Sequence, residues 1–255
     1  MKNAIITGGS SGIGLGIAKH FAHNGYNLLI NGLEPNGEDI AQGLSQEYGV
    51  KVIFSKANLL FSDQIEQMVR EAEEAFGSIQ VLVNNAGIQH VSPIEDFPAE
   101  KWNAILAVNL SSVFHASKAV WNGMKANKFG RIINISSVHG LRASEYKSAY
   151  VAAKHGVIGL TKVLALEGAT LGITCNAICP GYVLTPLVEG QIADQARSHG
   201  MSEQEVVDKV MLKKQAIKSF VAVEDLAATA LHLASDAGKS ITGASLPIEG
   251  GWAAQ

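Results

Sequence analysis

Residues 3–14 read "NAIITGGSSGIG": a short apolar run, a glycine-rich turn and the opening of a helical pattern, with no gap between them. The run at 3–7 is apolar almost throughout, as a strand covered on both faces must be. In the turn, Gly8 and Gly12 let the backbone bend and approach a pyrophosphate, and Gly14 lets the following helix pack closely on the strand. The helix starts with N–H groups that no intrahelical carbonyl satisfies, so its first turn attracts an anion. A glycine-rich turn alone says little. Behind the first strand of a β–α–β unit it predicts a dinucleotide site and a doubly wound sheet.

The rest of the chain keeps this rhythm. Strands are expected at 26–30, 52–55, 81–85, 131–136, 173–178 and 244–248, with helices at 12–24, 37–48, 62–76, 99–126, 150–170 and 223–235. Such alternation predicts an α/β fold of Rossmann type, a doubly wound parallel sheet with helices on both faces. No linker or composition break divides the chain, so a single domain over 1–255 is expected. Ser62 stands where an N-cap would precede the stripe Ile65, Met68, Val69, Ala72 and Phe76. Residues 185–219 hold two polar amphipathic pieces where the alternation calls for one helix. An insertion after a strand's carboxyl end, where open sheets bind ligands, is expected to form a helical substrate lid.

Composition narrows the function. Hydrophobic residues make up 47% and charged residues 17%, enough apolar material for a sizeable core. Twenty Lys and Arg oppose 23 Asp and Glu, a formal charge of −3, and no basic stripe exists to track a phosphate backbone, which argues against nucleic acid. The first apolar run is too brief for a signal segment, and nothing approaches the roughly 18 continuous apolar residues of a membrane span. A cytoplasmic protein with no membrane partner is expected. Cys175 and Cys179 sit four positions apart in an expected strand, about 13 Å along one face, too far for a disulfide. They are read as small buried fillers in a reducing compartment. His20, His23, His90, His115, His155, His199 and His232 show no metal spacing, and no metal is expected.

At the end of the second strand an acid would bond the ribose 2′-hydroxyl and an arginine would favour a 2′-phosphate. The run is "NGLEP", 31–35, and neither Leu33 there nor Ser11 before Gly12 is basic, so NAD is expected over NADP. Glu34 could reach the ribose, but beside Pro35 it reads more naturally as part of a solvated turn. The stretch "EYKSAYVAAKHG", 145–156, offers two tyrosines for one task. A tyrosine acting as a base near neutral pH needs its pKa of about 10 lowered, and a lysine one helical turn along supplies the charge. Tyr150 and Lys154 stand at i and i+4. Tyr146 lacks such a partner and is left to packing.

With "TGGSSGIG" at 7–14, "NNAG" at 84–87, Asn109 in "VNL", Ser137 thirteen residues before Tyr150, "YVAAK" at 150–154 and "PGYVLT" at 180–185, the chain resembles the short-chain dehydrogenases/reductases over nearly its whole length. The resemblance implies Tyr150 as acid/base, Lys154 as the residue that lowers its pKa and holds the nicotinamide ribose, Ser137 on the substrate oxygen and Asn109 in a proton relay through water. It also implies a cofactor cleft formed by Gly8, Ser11, Gly12, Ile13, Gly14, Leu33, Asn58, Leu59, Asn85, Ala86, Gly87, Pro180, Gly181, Val183 and Thr185, with Tyr150 and Lys154 at its reacting end. Asn58 stands where the family more often has an aspartate beside the adenine.

Four further donors from four segments, Gln89, His139, Lys147 and Gln191, make sense around a substrate carboxylate. Within the family this set, with Trp252, resembles the members that handle a small 3-hydroxy acid. It implies reversible oxidation of (R)-3-hydroxybutyrate to acetoacetate with NAD. Trp252 would wall the methyl pocket, and Tyr182 stands where a tryptophan is frequent. Rival readings are an NADPH-dependent reductase of another β-keto or β-hydroxy acyl substrate and a non-catalytic cofactor-bound regulator, the latter disfavoured by the intact Ser137, Tyr150 and Lys154. A homotetramer, with helices 99–126 and 150–170 in contact, is also implied.

Overall fold

Seven apolar runs become strands: β1 Lys2–Ile6, β2 Tyr26–Asn31, β3 Val52–Ser55, β4 Val81–Asn84, β5 Gly130–Ile135, β6 Ile173–Pro180 and β7 Ser245–Ile248. In the computed structural model, which describes residues 2–254 without the side chains at 186, 187, 194, 195, 198 and 199, they form one parallel sheet in the order β3-β2-β1-β4-β5-β6-β7. The ends of the expected domain, 1 and 255, and the side chain of His199 lie outside the described residues.

Parallel strands need crossovers, and helices supply them. These are α1 Gly12–His23, α2 Gly37–Tyr48, α3 Ser62–Phe76, α4 Ala99–Leu106, α5 Ser112–Asn127, α6 Ser148–Gly168, α7 Pro186–His199, α8 Glu203–Val206 and α9 Val223–Ala234. The order of the strands reverses between β1 and β4. Their connections leave in opposite directions there, opening a crevice at the carboxyl ends.

Alternation along each strand builds two cores. Ile6, Leu28, Ile30, Val83, Ile133 and Ile135 face Ile17 and Phe21 of α1 and Leu226 and Leu233 of α9. Ile5, Leu29, Leu82, Ile132 and Cys175 face Ile65 and Met68 of α3, Val120 and Met124 of α5 and Ala165 of α6. Burial on both sides explains why these strands are apolar without a polar face. Both cysteines are free and buried, and burial raises Cys175 to about 12 and Cys179 to about 11.

Three local readings change. Ser62 is the first residue of α3 instead of its cap; Phe61 takes that position and no side chain caps the end. The long helix expected at 99–126 is interrupted by a π turn, Ala107–Ser111, centred on Asn109. The helix α6 with its following turn, Ser148–Leu171, is long and apolar enough to cross a bilayer by length and composition, at a mean hydropathy of 1.2. It lies instead against the sheet, and that apolar character serves the packing of Ala149, Ala153, Val157 and Ala165.

The insertion folds as α7 and α8 followed by a second π turn, Val207–Met211, and a short 3-10 turn, Leu212–Lys214. Ile192, Val206 and Met211 form a small core of its own, packed on Tyr182, Val188 and Phe220. The piece therefore sits over the carboxyl end of β6.

Candidate active site

A cavity of about 570 Å³ runs along the carboxyl ends of the strands, from the tip of β2 to the turn after β6. At the β2 side its floor is the glycine turn. Gly8 and Gly12 adopt φ of +62° and +50°, a region closed to most side chains. A Cβ on Gly8 would meet Ala86 Cα at 3.0 Å, and one on Gly14 would overlap the Gly8 carbonyl oxygen. Gly14 thus packs beneath the turn, outside the cavity wall. Asn85 Nδ2 donates to the carbonyls of Thr7 and Gly8 at 3.0 and 3.1 Å, and Thr7 Oγ1 accepts from the backbone of Asn85 and Ala86 at 3.0 and 3.1 Å. These bonds lock the "NNAG" turn against the glycine turn at the start of α1. The result is a bare backbone cradle at a helix N-terminus, which fits a dinucleotide pyrophosphate.

The cradle continues through Ser11, Ile13, Leu33, Asn58, Leu59, Ala86 and Gly87 and closes with Pro180, Gly181, Val183 and Thr185, all lining the cavity. Asn58 is held in place: its side-chain oxygen accepts from Leu60 N at 3.1 Å and its N–H donates to Gln64 Oε1 at 2.8 Å. Glu34 overturns its reading as a solvated turn residue. Its carboxylate folds back over Gly32 to accept from the hydroxyls of Ser10 and, at 2.8 Å, Ser11. Burial works to raise its pKa, but these bonds lower it overall. An anion therefore stands at the β2 tip, inside the cavity wall.

The reacting end lies on α6. Tyr150 and Lys154, one turn apart, both reach the cavity, with Lys154 Nζ 5.6 Å from the Tyr150 ring centre and donating to the Ile135 carbonyl at 2.8 Å. Ser137, from the turn after β5, hydrogen-bonds the Tyr150 hydroxyl. The expectation that Lys154 lowers the Tyr150 pKa is not met. Burial raises the phenol, the Ser137 bond opposes this, and nearby Tyr182 adds to the rise. Lys154 is itself brought down to about 8 by burial. Desolvation is the largest cause of both shifts.

Asn109 is fully buried, and its amide is engaged at both ends by one residue. Oδ1 accepts from Ile88 N at 2.8 Å and Nδ2 donates to Ile88 O at 2.9 Å. The π turn aims this side chain at the strand β4 exit, so its visible work is to pin the chain between "NNAG" and Gln89.

At the far end Gln89, His139, Lys147, Tyr182, Gln191 and Trp252 line one lobe of the cavity. Lys147 precedes α6 and turns inward, donating to Tyr182 Oη at 3.4 Å over the Tyr182 ring. Burial first, then the charge of Lys214, brings it down to about 8. Gln89 Nε2 is buried with no partner. Trp252, 7% exposed, stacks on Tyr182 at 5.8 Å and meets the His139 ring edge-on at 5.4 Å.

His139 departs from its expected part. Its Nδ1 lies 3.4 Å from Ser137 Oγ and its Nε2 3.0 Å from Ser144 Oγ, so both ring nitrogens already have hydroxyl partners. Burial, then the charges of Lys147, Lys214 and His155, bring it down to about 3, and the ring is neutral across the working range. It steadies Ser137 and adds no charge. Tyr146 departs further. It is 56% exposed and holds φ +64°, so packing is not its role. Its carbonyl accepts from Ser92 N at 3.0 Å, tying the two loops that carry Gln89 and Lys147.

Ala104, Val108 and Val188 also line the cavity. No motif marks them, since apolar residues at i and i+4 read equally well as core. Among the described residues no group of three or more His, Cys, Asp or Glu could hold a metal ion.

Known proteins give this geometry a lineage. A protein of Rhizobium meliloti (strain 1021) named D-beta-hydroxybutyrate dehydrogenase is 51% identical over 259 residues, covering 100% of this chain and 99% of that protein. One of the same name from Cupriavidus necator is 48% identical over 254 residues, covering 100% and 98%. Among solved structures, an actinorhodin polyketide ketoreductase with NADPH superposes at a TM-score of 0.94 with 31% identity, covering 100% of this chain and 98% of that one. A short chain dehydrogenase model matches residues 2–196, and on these grounds the chain belongs to the short-chain dehydrogenase family.

Proposed function

We propose that this enzyme oxidises (R)-3-hydroxybutyrate reversibly to acetoacetate with NAD⁺. The observation that carries the reading is the unpartnered, buried Gln89 Nε2 in the wall of the cavity that the partly buried ammonium of Lys147 also lines. A buried donor without an acceptor costs about 1–3 kcal/mol, which a ligand carboxylate recovers. The relatives named D-beta-hydroxybutyrate dehydrogenase support the same substrate.

Gln89, Lys147 and Gln191 hold the carboxylate, and Tyr182 and Trp252 wall the short apolar end beside it. With the acid anchored there, its C3 hydroxyl falls to Ser137 and Tyr150. The oxidised nicotinamide, when bound, supplies the acceptor for the hydride that leaves C3. Tyr150 takes the hydroxyl proton in that direction and returns it in reduction, while Ser137 steadies the oxygen through both. Lys154 holds the ribose and places positive charge beside the phenolate. Asn109 fixes Ile88, and with it the wall that keeps Gln89 in position; the relay water belongs beside this π turn. A phenol raised by burial arrives protonated, ready for the reductive direction.

NAD is favoured over NADP by Glu34. Its carboxylate, held by Ser10 and Ser11 at the β2 tip, would repel a 2′-phosphate and accept from a 2′-hydroxyl. The lid role is assigned to α7, which brings Val188 and Gln191 to the cavity, with α8 packed behind it. The single domain acts in the cytoplasm as a homotetramer, a reading supported by two free buried thiols and by Val163 and Leu166 of α6, which are 50% and 81% exposed.

Initial rates of NADH formation test this directly, with (R)- and (S)-3-hydroxybutyrate against NAD⁺ and NADP⁺. The (R) acid with NAD⁺ should be turned over well ahead of the other three combinations. No turnover of that pair, or faster turnover of a 3-ketoacyl thioester with NADPH, defeats the proposal.

A further inference from the structure

The neighbours of the Ser137 hydroxyl fix which bonds it can make. Its Oγ accepts from the backbone N–H of His139 at 3.1 Å, at the start of the 3-10 turn Val138–Gly140. The same oxygen lies 3.4 Å from His139 Nδ1 and bonds the Tyr150 hydroxyl. A hydroxyl has two lone pairs and one proton, so these three neighbours use its whole capacity. The bond to Tyr150 steadies the phenolate, so Ser137 gives its proton there. Toward the imidazole Ser137 then accepts, and Nδ1 carries the ring hydrogen.

A neutral imidazole protonated at Nδ1 has a bare Nε2 that calls for a donor. Ser144 Oγ stands 3.0 Å from that Nε2. The ring is held in place: His139 is 4% exposed, with Trp252 and Tyr150 edge-on to it at 5.4 and 6.0 Å between ring centres. The loop bearing Ser144 is tied on both sides. Arg142 Nη2 donates to Ala253 O at 2.7 Å, and Tyr146 O accepts from Ser92 N at 3.0 Å. Burial, then the charges of Lys147, Lys214 and His155, keep the ring neutral, so it has one hydrogen for two nitrogens.

We infer that Ser144 is a positioning residue of the reaction: by donating to His139 Nε2 it holds the ring hydrogen on Nδ1, which fills the second lone pair of Ser137 and turns the serine proton toward the reacting oxygen. The inference rests on the reading of Ser137 and Tyr150 given above. Before substrate binds, the serine proton goes to Tyr150. With substrate in place it goes to the C3 oxygen, and Ser137 acts as a donor while Tyr150 alone exchanges the proton. A ring hydrogen on Nε2 would instead leave Nδ1 to draw the serine proton away from both. The groups facing Tyr150 are Ser137 and His139 after β5, Lys154 on α6 and Tyr182 after β6, and the Ser137 bond is what opposes the rise of the phenol.

Ser144→Ala, Ser144→Thr and Ser137→Ala, each saturated with NAD⁺, test this together. In Ser144→Ala the kcat for (R)-3-hydroxybutyrate should fall about five-fold, the worth of one hydrogen bond, with KM and NAD⁺ affinity within about two-fold of the parent. Tyr150 loses a donor to its phenolate, so its pKa rises and the climb of kcat with pH should move to higher pH. Ser144→Thr, which keeps the hydroxyl, should restore both. Nitrogen-15 NMR of the histidine rings reads the tautomer, with His139→Asn identifying the signal by its loss. The parent should show hydrogen on Nδ1, and Ser144→Ala should shift it toward Nε2. A parent ring protonated on Nε2 overturns the inference whatever the variants do. An unchanged kcat and pH profile in Ser144→Ala, or equal losses in kcat and NAD⁺ affinity, overturn it and spare the reading of Ser137. If Ser137→Ala keeps full kcat, that reading has failed and the inference with it.

Discussion

Removing one oxygen separates chemistry from binding at this site. Tyr150→Phe should cut turnover by about 10²–10⁴-fold while NAD⁺ binding, followed by fluorescence titration, is kept. Substantial remaining activity would mean that another group moves the proton. The two tyrosines of 145–156 answer to different physics. Tyr150 and Lys154 were legible because a helical turn brings i and i+4 together, a purely local rule. The direction of the Tyr150 shift was not, because desolvation depends on what covers the ring. With the phenol raised and Lys147 down to about 8, two pH effects oppose each other. Oxidation needs the deprotonated phenol, so its kcat should climb with pH. Acid binding needs the protonated lysine, so KM for the hydroxy acid should worsen as pH passes about 8. A full profile of kcat and KM separates the two; parallel changes would discard the assignment of Lys147. Tyr146 shows the same limit of local reading. Holding φ +64° with a Cβ costs about 1–2 kcal/mol. Tyr146→Gly should relieve part of that strain, and thermal unfolding with NAD⁺ present would register a stabilisation offset by the added freedom of the unfolded chain.

At the level of elements, the glycine turn and the π turn do opposite things to a regular backbone. The turn after β1 strips side chains away so that a ligand and the α1 N-terminus can meet. Gly14 is its tightest point: Gly14→Ala would drive a methyl into the Gly8 carbonyl and Asn85. We expect NAD⁺ affinity to fall at least ten-fold, by calorimetric titration, because the turn must open to make room. An affinity within two-fold of the parent would show that the turn is softer than its packing indicates. This element was readable because glycine is the one residue that the conformation tolerates. The π turn at Ala107–Ser111 was not readable. Nothing in "AVNLS" distinguishes it from ordinary helix, and a long apolar periodicity predicts one unbroken element. Its cause lies outside the element, in the two bonds that Asn109 makes to Ile88. The cap of α3 failed for a similar reason: Ser62 has the right chemistry but falls one residue inside the helix.

The whole molecule brings together residues that the chain keeps far apart, and here assembly becomes testable. Leu166, 81% exposed, lies on α6, one of the helices placed in contact by the homotetramer proposed above. Leu166→Asp should therefore lower the mass seen by light scattering after size exclusion, while a mass equal to the parent's would take α6 out of the contact. The sequence by itself determined the strand and helix alternation, the parallel sheet with its ligand crevice, and the pairing of Tyr150 with Lys154, since each depends on period, spacing or the special freedom of glycine, while Ser137 was marked by the family resemblance. Only the tertiary structure decided that Glu34 turns back onto Ser10 and Ser11, that Ser144 and Ser137 occupy both nitrogens of His139, that Gln89 is buried without an acceptor, and that Lys214 stands over Trp252. These contacts join residues from 2 to 38 positions apart, and their strength comes from burial and distance and not from spacing in the chain. Neither quantity exists until the sheet has brought the carboxyl ends of its strands together.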